Sequence, residues 1–186
     1  MPVYLFTLHT YRSWMPANRR GYVRRKAGCS LPGVLPPDSE MHQRYADRAR
    51  GPAAVRLDRL QCCVAVDAVR AACDRYGWRC HAAVAVWSHV HALISWPGFH
   101  DTAQVRKLLK RTITQGLNRD SVHAPQRILS AAGSRKRVKD RSHFDHLMQC
   151  YLPSHQRYAG VLWRETDPPE KDPPGPAEEE SRRSLP

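Results

Sequence analysis

Several features that define common protein classes are missing from this sequence. Its six cysteines include no Cys-x-x-Cys pair, and the chain has no secretory signal and no apolar run of about 18 residues. These absences argue against a disulfide-stabilised secreted domain, a cysteine-based zinc site and a membrane span. Scattered thiols without an export signal are typical of a reducing cytoplasm, where we expect the protein to reside.

Acidic residues are also scarce over most of the chain. The 186 residues carry 30 Lys and Arg against 17 Asp and Glu, which gives a formal net charge of +13. Residues 165–186 hold seven acids and three bases, a charge of −4, so residues 1–164 carry +17. That excess is larger than solubility requires and favours a polyanionic partner. A membrane surface is a weaker candidate, because no basic amphipathic helix has a bulky apolar face.

Composition divides the chain into one domain and a tail. Residues 1–164 are long enough for one packed domain, and residues 165–186 are rich in Pro and Glu and predicted to be disordered. Within the domain, residues 14–52 form a basic insertion with many Pro and Gly, which predicts irregular structure apart from a short helix at 40–49. Its cations alternate with aromatics, which suits single-stranded nucleic acid but equally suits a solvated basic loop.

Hydrophobic periodicity predicts the order strand, helix, strand, strand, helix, short strand, helix. The predicted elements fall at residues 3–9, 57–76, 78–96 (two strands), 101–117, 134–141 and 142–151. This order is that of the ferredoxin-like split βαβ unit. We therefore expect an α+β fold with an antiparallel sheet, helices on one face and an extra C-terminal helix that carries Tyr151.

The most apolar stretch, residues 84–96, contains two histidines two positions apart. Successive side chains of a strand alternate between faces, so His89 and His91 should point the same way. Two such imidazoles form half of a metal site. Taken alone, the pair is better explained as hydrogen-bonded core or edge histidines than as a metal site.

The last predicted helix offers a partner for this pair. Residues four apart on a helix are neighbours, so Tyr151 and His155 could both meet the strand histidines. Three imidazoles would then hold a divalent metal that makes a bound phosphate more electrophilic, with a phenol beside it as nucleophile. The alternatives are that Tyr151 completes an apolar core stripe and that His155 is a surface histidine after the break at Pro153.

Three stretches of the chain resemble the single-tyrosine HUH transposases, and most of all the REP-associated tyrosine transposase branch. They are YLFTLHTY at 4–11, SHVHALISW at 88–96 and SRKRVKDRSHFDHLMQCYLP at 134–153. The resemblance extends from about Val3 to Trp163 and leaves the acidic tail outside.

This resemblance implies roles for particular residues. His89 and His91 match the His-hydrophobic-His motif that binds Mg²⁺ or Mn²⁺, and Tyr151 falls on the nucleophile. His155 stands where the branch usually has Asn, at the position of a further polar metal ligand. Tyr158, seven residues after Tyr151, is the competing nucleophile. Imidazole ligands suit Mn²⁺ better than Mg²⁺.

The activity implied by the resemblance is that of a transposase. It would be a metal-dependent endonuclease and strand transferase on single-stranded DNA, acting near a hairpin through a 5′-phosphotyrosine intermediate, in the nucleoid region of a bacterial cytoplasm. The protein could act as a homodimer or a monomer. Two alternatives stay open: a domesticated DNA- or RNA-binding regulator on the same scaffold without strand transfer, and a metal-dependent phosphodiesterase that uses water.

Candidate DNA contacts follow from aromatic and cationic side chains. Tyr11 and Trp14 are candidates for stacking on bases. The phosphate backbone is expected to meet the basic face of the second long helix and the basic run that precedes the last helix. These cations are Arg106, Lys107, Lys110, Arg111, Arg135, Lys136, Arg137 and Lys139.

Overall fold

A computed structural model describes residues 1–15, 22–24, 33–48, 54–98, 100–119, 127–131 and 133–165. The predicted acidic tail therefore lies outside the described residues except for Glu165, as does much of the basic insertion. None of the helices in these described ranges is long and apolar enough to cross a lipid bilayer.

The described residues form strands and helices in the predicted order, with additions. The strands are β1 (Val3–His9), β2 (Tyr22–Arg24), β3 (Gly33–Leu35), β4 (Arg79–Val86), β5 (His89–Ser95), β6 (Ser134–Arg137) and β7 (Val161–Arg164). The α-helices are α1 (Ser39–Arg48), α2 (Arg59–Tyr76), α3 (Thr102–Asn118) and α4 (Arg141–His146). A π-helical turn (Leu147–Tyr151) and a 3₁₀ helix (Pro153–Tyr158) continue from α4.

Local sequence signals set the ends of the two long helices. Asp58 and Asp101 each accept a backbone hydrogen bond from the first turn, and Gln61 and Gln104 complete the reciprocal capping boxes. Gly77 ends α2 in the left-handed conformation at φ 66°, which only glycine adopts without strain. The predicted helix boundaries are confirmed to within two residues.

The main sheet has five strands in the order β6-β1-β5-β4-β7, with antiparallel neighbours throughout. The helix α2 connects β1 to β4, and β5 lies between these two strands. That arrangement is the split βαβ unit, so the predicted ferredoxin-like α+β fold is confirmed. The edge strand β7 was not predicted.

Alternation along the central strands divides the core into two layers. Val90, Ala92 and Ile94 of β5 lie in the larger apolar cluster with α2 and α3. Leu93 faces the other way and packs with residues of the C-terminal helical segment, among them Leu147 and Leu152. The two long helices therefore cover one face, as predicted, while the tyrosine-bearing segment covers the opposite face.

The basic insertion contains more regular structure than its composition predicts. Its helix is confirmed as α1. A second, two-stranded antiparallel sheet of β2 and β3 also lies there, in a stretch predicted to be irregular. Strands of three residues give no measurable periodicity, so the sequence contains little signal for them.

The docking of the C-terminal segment can be tested at Leu152, which has no exposed surface. Replacing Leu152 with Ala should lower the free energy of unfolding by about 2–5 kcal/mol, because it leaves a cavity beneath the sheet. Urea denaturation measures this change. Leu60→Ala on α2, where the side chain is 73 % exposed, is the control and should change stability by less than about 0.5 kcal/mol. Equal effects of the two variants would contradict the docking.

Candidate metal centre and nucleophile

Strand register places the His89/His91 pair at the centre of the sheet. On β5, His89 lies opposite His9 of β1 and Val86 of β4, and His91 lies opposite Thr7 and Val84. Both histidines point away from α2 and α3, on the face that the C-terminal segment covers. The predicted common orientation of the two imidazoles is therefore present.

The C-terminal segment supplies two more groups to the same face. In the π-helical turn, the Leu152 N–H donates to the Leu147 carbonyl at 3.0 Å, a five-residue step. This wider turn lets both leucines reach the apolar layer. Tyr151 and His155 are then directed toward the strand histidines, with ring centroids of Tyr151 and His91 5.4 Å apart and of His155 and His91 4.7 Å apart.

A tight turn after the 3₁₀ helix returns the chain to the sheet. Ala159 adopts a left-handed conformation at φ 55°, and Gly160 leads into β7. A Cβ atom on Gly160 would lie 2.6 Å from the carbonyl oxygen of His155 and 2.9 Å from Val86 Cγ1. Only glycine permits this close approach, which holds the His155 turn against β4.

The three histidines form a compact cluster. One ring nitrogen from each of His89, His91 and His155 lies within 4.8 Å of the corresponding nitrogens of the other two. His91 and His155 are buried, and His89 is half-buried. The cluster is the predicted set of metal ligands brought together by β5 and the C-terminal segment.

Each imidazole is also oriented through its Nδ1 atom. Thr7 Oγ1 lies 2.9 Å from the Nδ1 of His91, and Ser88 Oγ lies 2.9 Å from the Nδ1 of His89. The Nδ1 of His155 lies 2.9 Å from the carbonyl oxygen of Tyr151. A carbonyl only accepts, so this Nδ1 carries the proton and donates, and the lone pair of His155 is on Nε2.

Burial keeps the imidazoles of His89 and His91 neutral. Burial, with smaller contributions from His9 and His155, lowers the pKa of His89 to about 4. Burial is also the main cause that holds the pKa of His91 well below its usual range, followed by its histidine neighbours. At neutral pH both rings therefore retain a lone pair for a ligand.

This donor set fits a divalent transition metal. Imidazole nitrogens suit first-row metals, and a metal-binding histidine characteristically has its other ring nitrogen held by a hydrogen bond. Each of the three rings has such a second contact. The residues present can therefore hold a metal ion, and they match Mn²⁺ better than Mg²⁺, which prefers oxygen ligands.

Tyr151 lies beside the cluster and remains accessible. Its hydroxyl is 3.4 Å from the Nε2 of His91, and 38 % of the residue is exposed. Its ring centroid is 5.1 Å from that of His155. Tyr158, the competing nucleophile from the sequence, is 63 % exposed at the last residue of the 3₁₀ helix. The geometry brings Tyr151 to the histidines, which is the arrangement predicted from the four-residue spacing.

Two of the cations predicted to contact DNA are half-buried and hydrogen-bond to the protein's own backbone. Arg106 Nη1 donates to the Gly133 carbonyl at 2.9 Å, and Lys110 Nζ donates to the carbonyls of Ser130 and Ala131. Burial, together with Arg106 and Arg127, lowers the pKa of Lys110. These two side chains fasten α3 to Ser130, Ala131 and Gly133, a non-local contact that helical periodicity cannot reveal.

The other predicted DNA contacts differ in exposure. Arg135 is half-buried, with Nη1 4.0 Å from Asp101 Oδ1. Tyr11 is half-buried, and Trp14 is 40 % exposed beside His9. The exposed cations among the predicted contacts are Lys107, Arg111, Lys136, Arg137 and Lys139.

Sequence reasoning missed the residues that surround the histidines. Thr7 and Ser88 hydrogen-bond to the two strand imidazoles, and the His9 ring centroid lies 5.8 Å from that of His89. The Nδ1 of His9 is buried and has no hydrogen-bond partner among the described residues. Ser88 adjoins His89 in sequence and could have been considered. Thr7 and His9 depend on the β1–β5 register, which the sequence does not specify.

Similarity to known proteins is found at the level of structure. No protein-family model and no curated protein matches the chain. Among solved structures, the fold is similar to a REP-associated tyrosine transposase bound to a REP hairpin, with 13 % sequence identity and a TM-score of 0.45. The match covers 84 % of this chain and 68 % of that chain. The sequence motifs at 4–11, 88–96 and 134–153 resemble the same branch.

Metal binding by the cluster is directly measurable. Isothermal titration calorimetry should detect one Mn²⁺ per chain, bound more tightly than Mg²⁺, because the donors are imidazoles. His155→Ala should weaken Mn²⁺ binding by about 10-fold or more, since it removes one ligand. His146→Ala replaces an exposed histidine on α4 and should leave the affinity unchanged. Equal losses for both variants, or an unaltered His155→Ala, would contradict the proposed site.

Proposed function

We propose that this protein is a transposase of the single-tyrosine type, a metal-dependent endonuclease and strand transferase that acts on single-stranded DNA next to a hairpin. One observation supports this more than any other. The Tyr151 hydroxyl lies 3.4 Å from His91 within a cluster whose three histidine nitrogens are within 4.8 Å of one another. This proximity supports the proposal, because a candidate nucleophile and three candidate metal ligands then share one site.

The proposed metal ligands are His89, His91 and His155. A bound Mn²⁺ or Mg²⁺ would polarise a phosphoryl oxygen and neutralise charge that develops in the transition state. The protein's own contribution is to fix the three rings through Thr7, Ser88 and the Tyr151 carbonyl. Because burial keeps the strand imidazoles neutral, no proton has to be displaced from them at neutral pH.

Tyr151 is the proposed nucleophile. Its phenol loses a proton to the solvent that reaches this exposed side chain, and its oxygen forms a bond to the scissile phosphorus. The bond from phosphorus to the 3′ oxygen breaks, and that oxygen takes up a proton and leaves as a 3′-hydroxyl. The product is a 5′-phosphotyrosine. One phosphate ester replaces another, so a 3′-hydroxyl can later attack and rejoin the strand without an external energy source.

The charge of the protein agrees with a DNA substrate. Residues 1–164 carry a net charge of +17, and exposed cations of α3 and β6 are available to phosphates. Lys107, Arg111, Lys136, Arg137 and Lys139 are the proposed backbone contacts, whereas Arg106 and Lys110 act mainly within the protein. The binding should weaken steeply with salt, as counterions compete for the phosphates.

The nucleophile can be tested with Tyr151→Phe, which removes only the phenolic oxygen. Wild-type protein, Mn²⁺ and labelled single-stranded hairpin DNA from the flanks of its gene should give a protein–DNA band that survives a denaturing gel. Tyr151→Phe should abolish this adduct, reducing cleavage by at least about 10³-fold, while DNA affinity stays within about 2-fold, because the ring still packs on the histidines.

Tyr158→Phe is the matched control and should form the adduct at the wild-type rate. Cleavage that persists in Tyr151→Phe without an adduct would contradict the proposal and indicate water as the nucleophile in a metal-dependent phosphodiesterase. DNA that is bound but never cut, with either metal and several hairpins, would instead favour a binding regulator on the same scaffold.

A further inference from the structure

The turn between β4 and β5 is held unusually firmly at the edge of the histidine cluster. The carbonyl oxygen of Ser88 accepts hydrogen bonds from the Thr10 backbone N–H at 2.9 Å, the Thr10 hydroxyl at 3.1 Å and the Ser13 hydroxyl at 2.9 Å. The carbonyl of Trp87 accepts another from the Leu57 N–H at 2.9 Å. All four bonds end on backbone oxygens, so the Trp87 side chain is not needed to hold the turn.

The segment of residues 55–57 connects this turn to Tyr11 through backbone hydrogen bonds. The Val55 N–H donates to the Tyr11 carbonyl, and the Leu57 N–H donates to the Trp87 carbonyl, both at 2.9 Å. Val55 and Leu57 are two positions apart, about 7 Å along an extended chain. The backbones of Tyr11 and Trp87 are therefore fixed close to one another, at the end of the sheet that carries the histidines.

Each of these aromatic rings is paired with a guanidinium group. The Arg56 carbon Cζ lies 5.0 Å from the Trp87 ring centroid, and Arg127 Cζ lies 5.0 Å from the Tyr11 ring centroid. Trp87 is nevertheless 44 % exposed, and Arg56 is exposed as well. An indole with a cation on one face and much of its surface in solvent is suited to stack on an unpaired base, while the cation meets a phosphate.

We propose that Trp87, backed by Arg56, is a stacking site for an unpaired nucleobase of the DNA strand that enters the histidine cluster. The proposal rests on the proposed function and adds the residue that grips the strand beside the scissile phosphate. Trp87 is two positions from His89, at most about 7 Å along the backbone. A base on this ring would extend the stacking surface predicted for Tyr11, whose backbone is fixed close to that of Trp87.

The test compares two single strands of about 20 nucleotides, oligo(dT) and an abasic strand with the same sugar–phosphate backbone. Binding is measured by fluorescence anisotropy in EDTA, so that no cleavage occurs. Trp87→Ala should weaken oligo(dT) binding by about 5- to 100-fold, the range for loss of one stacking contact. Its affinity for the abasic strand should change by less than about 2-fold, because that strand offers no base to stack.

Two further variants sharpen the result. Trp87→Phe keeps a ring and should retain most of the oligo(dT) affinity. Tyr45→Ala removes another exposed aromatic, 56 % exposed on α1, and should leave binding to both strands unchanged. Equal losses for both strands in Trp87→Ala, or no loss for either, would overturn the proposal and assign the Trp87–Arg56 pair a purely structural role.

Failure of this proposal is distinguishable from failure of the proposed function. A protein that shows the base-dependent loss but forms no covalent adduct has the stacking site and is not a transposase. If the Tyr151 adduct forms but Trp87→Ala binds each strand as tightly as the wild type does, the protein is a transposase that holds its DNA strand at other residues.

Discussion

The alternation of side chains along β5 is the constraint on which both the core and the site depend. Val90, Ala92 and Ile94 enter the layer beneath the two long helices, and this fixes which residues remain for the other face. Those residues begin with His89 and His91. A register shift of one position would expose the apolar set and bury the histidines among aliphatic side chains, so burial of the core specifies the orientation of the site.

The second requirement is that the C-terminal segment docks on the sheet with one particular rotation about its own axis. Leu147 and Leu152 are five residues apart, and an ideal α-helix would not direct both at the sheet. The π-helical turn between them widens the step, and Pro153 starts a 3₁₀ helix that continues in a tighter turn. The same two apolar anchors therefore orient Tyr151 and His155, which links stability of the second core layer to the geometry of the nucleophile.

Local signals explain what the sequence predicts well. Capping aspartates, Gly77 and the apolar strand pair identified the order of elements, and the spacing of Tyr151 and His155 predicted their common side. Contacts between residues distant in the sequence could not be predicted from it. The position of Thr7 opposite His91, the strand β7 and the hydrogen bonds from Lys110 to Ser130 and Ala131 all depend on register and packing, which local periodicity does not encode.

The central claim is that the three histidines and Tyr151 form one catalytic centre, and the most direct test is to locate the covalent bond to DNA. The adduct formed with Mn²⁺ and single-stranded hairpin DNA can be digested with protease and nuclease, and its peptide sequenced by mass spectrometry. The account predicts a 5′-phosphorylated nucleotide on Tyr151. A nucleotide on Tyr158 or on any other residue, or cleaved DNA with no nucleotide attached to the protein, would contradict it.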